Sequence, residues 1–67
     1  MEYGYVSSWD SSKGFGFIVT DADEELFVHV SDLDITVKQK RLQKGQHVSF
    51  DRRSDYRGDK AVNVRIV

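Results

Sequence analysis

The strongest constraint on the fold is a pair of short runs in which large rings alternate with glycine or aliphatic residues: KGFGFI at residues 13–18 and LFVHV at residues 26–30. A period of two is typical of a β-strand, because successive side chains point to opposite faces of the sheet. Phe15 and Phe17 therefore share one face. The turn residues Asp21-Ala22-Asp23 between the runs are consistent with a hairpin that pairs them.

The second run indicates which face of this hairpin is buried. Leu26, Val28 and Val30 form an unbroken aliphatic row, which makes a better core face than the opposite row of Phe27 and His29. An even hairpin register sets odd positions opposite odd ones, so the rings gather on one outward face. We call this predicted surface the aromatic platform; its members are Phe15, Phe17, Phe27 and His29. The glycines beside the rings are expected to let another flat group approach closely.

The simpler alternative is that Phe15 and Phe17 are core residues, since an isolated Phe in a strand usually faces inward. That arrangement would turn Ile18 outward, bury His29 and expose the aliphatic row of the second run. Outward rings are therefore favoured.

With this spacing, the two runs resemble the two ribonucleoprotein motifs of the cold-shock domain family. The resemblance extends to GYV at residues 4–6, LQKGQHVSF at residues 42–50 and GDKAVNV at residues 58–64, so it covers essentially the whole chain. It implies an all-β domain, here residues 1–67, folded as a five-stranded antiparallel OB-type β-barrel. It also implies binding of single-stranded DNA or RNA by stacking of bases on surface aromatics.

The remaining sequence agrees with a small barrel. Short apolar or alternating runs predict strands at residues 3–9, 15–20, 26–30, 46–52 and 60–66. Ser31 followed by Asp34 resembles a helix N-cap with an acidic first turn, which predicts one short helical turn after the third strand. The predicted core consists of Val6, Ile18, Leu26, Val28, Val30, Leu33, Val48, Phe50, Val62, Val64 and Ile66.

The first strand departs from the family pattern. The family has a base-stacking Trp at the place of Ser8, a second aromatic at the place of Trp9 and usually a lysine at the place of Tyr5. The resemblance therefore implies that the indole has moved by one position, with Tyr5 as an additional ring. The alternative is that Trp9 packs against the barrel rim. The family's outward aromatic after the second motif is Val30 here, so the platform is expected to be smaller and to bind more weakly.

Charge is unevenly distributed although the net charge is only −1. Residues 1–30 hold one cation, Lys13, against six acids, and residues 31–67 hold nine cations against five acids. The resemblance implies that Lys13 meets the nucleic-acid backbone and that Asp10 hydrogen-bonds a base edge. The cations of the long loop after the third strand are either solvated surface or a basic patch: Lys38, Lys40, Arg41 and Lys44.

Sequence features of catalysis and of metal binding are missing. The chain has no Cys, its two histidines have no spaced acidic partner, and its serines lie in no nucleophile elbow. GFG at residues 14–16 lacks the third glycine of a dinucleotide fingerprint and the ending of a phosphate loop. The acidic tract at residues 21–25 lacks the glycine and the final glutamate of a calcium loop. We therefore expect no enzyme activity, no cofactor and no metal.

The sequence thus predicts a monomeric binder of single-stranded RNA or DNA with low sequence specificity that acts as an RNA chaperone, with no membrane and no small-molecule substrate as partner. The rival interpretation is a protein-interaction barrel that uses the same rings. The lack of Cys and of any apolar leader or membrane span suggests the cytoplasm. The candidate binding residues are Ser7, Trp9, Asp10, Lys13, Phe15, Phe17, Phe27 and His29, with Tyr5, Ser8, Val30 and Lys60 as secondary candidates.

Overall fold

The chain forms five strands joined into one closed sheet in the order β1-β2-β3-β5-β4. The computed structural model describes residues 1–67 apart from the side chain of Asp55. The strands are β1 Glu2–Asp10, β2 Phe15–Thr20, β3 Glu25–His29, β4 His47–Asp55 and β5 Gly58–Ile66. The predicted all-β barrel of five strands is confirmed. β4 and β5 extend further than predicted, because their polar ends pair up to the turn that joins them.

The sheet is mixed, which differs from the expected antiparallel barrel. β3 and β5 pair in parallel at Phe27 and Lys60, and a further parallel bridge joins Leu33 to Val64. The reason is topological: five strands in a closed ring cannot alternate in direction all the way round, so one neighbouring pair must be parallel. This pair brings the end of β3 next to the start of β5.

A β-bulge interrupts the pairing of β1 with β2. Val6 lies opposite Ile18, but Ser8 rather than Ser7 lies opposite Phe17. A bulge inserts one unpaired residue, so the side chains beyond it change face relative to an unbroken strand. The odd positions of β1 therefore stop facing outward at the bulge.

The core lies inside the barrel and contains most of the predicted residues. Of the predicted core residues, Val30 is only half-buried against the core. The prediction that Ile66 belongs to the core is wrong, because its side chain is 45% exposed at the end of β5. Val37 and Leu42 belong to the core although they lie in the long loop, where no strand period indicates them. The buried apolar residues are Val6, Ile18, Leu26, Val28, Leu33, Val37, Leu42, Val48, Phe50, Ala61, Val62 and Val64.

Two 3-10 turns lie between β3 and β4, where one helical turn was predicted. The first, Val30–Asp32, follows β3 as expected, but its N-cap is His29, whose Nδ1 accepts the Ser31 N–H at 3.1 Å. The predicted cap by Ser31 is therefore wrong, and Asp34 instead accepts the N–H of Thr36 at 3.0 Å. The second turn is Lys38–Lys40. None of the helical segments in the described part of the chain is long and apolar enough to cross a membrane.

Candidate nucleic-acid interface

The four rings predicted to form the aromatic platform share one outer face of β2 and β3. Phe15 lies opposite His29, and Phe17 lies opposite Phe27. The Phe27 ring centroid is 5.6 Å from that of Phe15, 5.9 Å from that of Phe17 and 6.5 Å from that of His29. All four side chains are half-buried and lie outside the core cluster. The predicted register and orientation of the rings are confirmed.

The glycines near the rings have a different role from the one expected. Gly16 is buried on the inner face, where a Cβ would collide with the Ser8 carbonyl oxygen and lie 2.9 Å from the Trp9 Cα. It therefore allows close packing of β1 on β2, and it does not open space beside the rings for a ligand. Gly14 has a φ of 75°, and its carbonyl accepts the Val30 N–H at 2.8 Å. That bond joins the β1–β2 turn to the end of β3.

Trp9 does not belong to the aromatic platform. The bulge at Ser7 sets Trp9 opposite Gly16, on the inner side of the sheet, and the indole packs against the core. Its Nε1 is buried and has no hydrogen-bond acceptor among the described side chains and backbone groups. The indole thus packs as the alternative of rim packing describes, and a role of Trp9 in base stacking stays a prediction.

On the outer face of β1, the side chains nearest the platform are either small or too far from its rings to extend it. Ser8 is exposed opposite Phe17, so a hydroxyl stands where a large ring would enlarge the surface. Tyr5 is 45% exposed on the same side, but its partner in β2 is Val19, beyond the bulge from Phe17. The platform is thus limited to the four rings of β2 and β3, and Tyr5 lies at its margin.

Ser7 and Asp10 use polar atoms within the protein. The Ser7 hydroxyl donates to the Phe17 carbonyl oxygen at 3.3 Å, within the bulge. Asp10 Oδ1 accepts the Ser12 hydroxyl at 2.7 Å, the Ser12 N–H at 3.0 Å and the Lys13 N–H at 3.2 Å. These bonds, that of the Ser12 hydroxyl first, lower the pKa of Asp10 below its ordinary value. Asp10 thus organises the β1–β2 turn that carries the exposed Lys13, whereas Ser7 joins β1 to β2 at the bulge.

His29 is oriented by the turn that it caps. Its Nδ1 lies 2.9 Å from the Ser31 hydroxyl and accepts the Ser31 N–H at 3.1 Å. In the neutral ring the proton then resides on Nε2, because Nδ1 serves as an acceptor. The ring therefore offers both a flat face and one N–H donor.

A groove of about 570 Å³ borders the platform between the end of β3 and the β4–β5 turn. Phe27 and His29 line one side, and Asp32 and Lys60 line another. Lys60 Nζ lies 3.5 Å from Asp32 Oδ2, so its charge is balanced locally. Lys60, predicted as a secondary candidate, thus reaches the edge of the platform. Asp32 was missed, because only the parallel closure of the barrel brings it there.

An ion-pair network surrounds Arg52 of β4. The guanidinium lies 2.8 Å from Glu2, 2.7 Å from Glu24 and 3.1 Å from Asp59. Hydrogen bonds from Arg52 lower the pKa of Glu2 and of Glu24, and the hydroxyl of Ser54, followed by Arg52, lowers that of Asp59. Arg52 thus joins β1, β4, β5 and the β2–β3 turn, and it compensates part of the acidic tract near the platform.

The fold and this surface define a small OB-type barrel that presents aromatic rings on one outer face. Comparison with known proteins agrees with that class. The 'Cold-shock' DNA-binding domain model matches residues 2–67. The chain is 41% identical over 64 residues to the major cold shock protein of Streptococcus pyogenes, covering 96% of this chain and 94% of that one. It is 42% identical over 65 residues to a cold shock-like protein of Aquifex aeolicus, covering 96% and 91%.

A cold shock-like protein of Bacillus cereus is 43% identical over 61 residues, covering 91% of this chain and 92% of that one. The chain therefore belongs to the cold-shock domain family, whose members generally bind nucleic acids and are not enzymes.

Proposed function

We propose that this protein binds single-stranded RNA or DNA with little sequence selectivity, by stacking bases on the aromatic platform. The observation that carries the proposal is the shared outer face of Phe15, Phe17, Phe27 and His29, with centroids 5.6 to 6.5 Å from that of Phe27. Aromatic rings stack on any base, because every base has a π-face, so such a surface is tolerant of sequence. Duplexes bind poorly, since their base faces are already stacked.

Electrostatics near the rings supports a stacking-dominated complex. Lys13 is exposed beside the platform on the Asp10-capped turn, where it can neutralise a phosphate. Glu25, also exposed, lies opposite Val19 at the other end of β3. A single-strand complex loses affinity with salt at a log-log slope of about −0.7 for each neutralised phosphate. For a short strand confined to the platform, we expect a shallow slope of roughly −1 to −2 on that rule.

The proposed RNA-chaperone activity follows from selective binding to the unpaired state. A ligand that binds one of two conformations shifts the equilibrium towards it by mass action. Protein bound to unpaired RNA therefore opens weak hairpins and keeps them open. Low sequence selectivity allows the same protein to act on many RNAs.

The direct test is fluorescence anisotropy with a labelled six-nucleotide oligo-U. Replacing Phe15, Phe17 or Phe27 by Ala should weaken binding by ~1 to 3 kcal/mol for each stacked base. Tyr56→Ala is the matched control, because Tyr56 is 92% exposed in the β4–β5 turn and is not part of the platform. A folded parent that fails to bind oligo-U would instead favour the protein-interaction barrel.

A further inference from the structure

A second group of rings is exposed on the outer face of the barrel, on β1 and β4. Tyr3 and Tyr5 are 49% and 45% exposed. Tyr5 lies opposite Val19 of β2 and opposite His47 of β4, and His47 is exposed as well. We call these four residues the tyrosine surface. Neighbouring exposed apolar side chains mark interaction sites more often than single ones do.

The tyrosine surface adjoins the aromatic platform and is distinct from it. Val19 follows Phe17 by two positions in β2, which at 3.3 Å per residue is about 7 Å. The row of rings in β2 ends at Phe17, because Val19 is aliphatic. In β1, the bulge at Ser7 separates Tyr5 from Ser8, the residue opposite Phe17. A ligand on one surface therefore need not contact the other.

The acidic β2–β3 turn borders the tyrosine surface. Glu25 lies opposite Val19, so Tyr5, Val19 and Glu25 form one row across three strands. The Asp21 N–H donates to the Tyr3 carbonyl oxygen at 3.1 Å, which sets the start of the turn beside the other tyrosine. The exposed carboxylates along this border are those of Asp21, Asp23 and Glu25.

The charge of this border is uncompensated within the protein. No ion pair in the part of the chain that the structure describes includes Asp21, Asp23 or Glu25. Glu24 differs from these neighbours, because it lies 2.7 Å from the Arg52 guanidinium. Three like charges beside exposed rings repel phosphates and attract cations.

Hydrogen bonds hold the acidic turn in one conformation. Thr20 is only 3% exposed, and its Oγ1 accepts the N–H groups of Ala22 and Glu24, each at 3.2 Å. The Thr20 carbonyl oxygen accepts the Asp23 N–H at 2.9 Å. The carboxylates of the turn are therefore carried on a fixed backbone. Preorganised groups lose little conformational freedom when they bind a partner.

We infer that the tyrosine surface and its acidic border dock an extended, arginine-rich segment of another protein. Guanidinium groups stack on tyrosine rings and donate to carboxylates, and the surface offers both partners on one face. A nucleic-acid strand does not suit it, because the border repels phosphates. A second copy of this chain does not suit it either, since a two-fold interface would bring the two acidic borders together.

The test is fluorescence anisotropy with a labelled peptide of four Arg-Gly repeats, at about 0.05 M salt and without nucleic acid. The parent should bind the peptide, and the affinity should fall as salt screens the exposed charges. Tyr3→Ala and Tyr5→Ala should each weaken binding about two- to fivefold. Glu25→Gln should weaken it by up to about fivefold. A peptide of four Lys-Gly repeats should bind more weakly, because an ammonium does not stack as a guanidinium does.

Matched variants show whether the position of these groups matters. Tyr56→Ala is the control for Tyr5→Ala, because Tyr56 is 92% exposed in the β4–β5 turn. Asp32→Asn is the control for Glu25→Gln, because it removes the same charge beyond the opposite end of β3. Both controls should bind the peptide like the parent. An unchanged urea midpoint verifies that each variant keeps the fold.

Four results would overturn the inference. The first is a folded parent that does not bind the Arg-Gly peptide at low salt. The second is an equal loss in a variant and its control, which would show that only net charge or any exposed ring matters. The third is a loss in Phe17→Ala as large as in Tyr5→Ala, which would place the peptide on the platform. The fourth is a parent dimer in sedimentation that Tyr3→Ala dissociates, which would assign the surface to a second copy.

Discussion

Phe17 and Ile18 are neighbours in the chain and are both large and apolar, yet they lie on opposite faces of β2. Ile18 is 0% exposed and lies opposite Leu26 inside the barrel. Phe17 is half-buried on the outer face, where its ring meets that of Phe27 edge-on at 5.9 Å. Because strand side chains alternate, β2 and β3 carry a row that holds the barrel together and a row that is free to bind a ligand. The comparison teaches that stability and recognition can be altered separately in the same strands.

The largest expected effect is on the inner row. Ile18→Ala should lower the free energy of unfolding by ~2 to 5 kcal/mol, because it leaves a cavity in a closed core. Urea denaturation followed by the fluorescence of Trp9, which packs on the same core, measures it. At a temperature where the variant remains folded, its affinity for oligo-U should match that of the parent. A stable Ile18→Ala variant that fails to bind oligo-U would contradict the claim that the inner row serves stability and the outer row serves binding.

The next effect is on the outer row. Phe17→Ala should weaken binding of oligo-U by ~1 to 3 kcal/mol and should destabilise the fold less than Ile18→Ala does. The reason is that its ring is half-exposed and belongs to no core cluster. Both quantities are measured on the same preparation, by anisotropy and by urea denaturation. The separation of the two rows fails if Phe17→Ala unfolds the barrel.

The Arg52 network should influence the stability of the fold and the pH dependence of that stability. Glu2, Glu24 and Asp59 have lowered pKa values. Their contribution to the free energy of unfolding is therefore fully present at neutral pH. It is lost as the pH falls below the ordinary glutamate value of 4.5 and then through the lowered pKa values. In Arg52→Gln, the urea midpoint should fall at pH 7 and should decrease less between pH 5 and pH 3. Identical pH profiles for parent and variant would contradict this account.

The smallest expected effect concerns Trp9. Since its indole packs on the core and lies on the inner side of the sheet, saturating oligo-U should change its fluorescence only slightly. Phe17→Trp supplies the contrast, because an indole on the outer face should be strongly quenched when a base stacks on it. Strong quenching of Trp9 itself in the parent protein would instead move the indole to the binding surface.

The alternation of side chains in β2 and β3 was sufficient to predict the core face, the register and the four rings of the platform. It failed at β1, where a bulge at Ser7 changes the facing of Trp9. A bulge depends on the fit of two paired strands, so the sequence of β1 alone carries no signal for it.

Long-range closure was equally hidden from the sequence. Val37 and Leu42 reach the core from a loop without strand or helix periodicity, and Asp32 meets Lys60 only because β3 and β5 pair in parallel. Local patterns therefore predict which side chains share a strand face. They do not predict which loops and strand ends the closed barrel brings together.

The central claim is that bases stack on the outer row of β2 and β3. Two-dimensional NMR of the labelled protein, titrated with six-nucleotide oligo-U, tests it most directly, because it reports on every backbone amide and on the ring protons at once. The account predicts that oligo-U causes the largest chemical-shift changes at Phe15, Phe17, Phe27 and His29. The changes at the inner residues Ile18 and Val28 should be small. Shifts confined to β4, or an unperturbed set of rings in a protein that binds oligo-U, would contradict it.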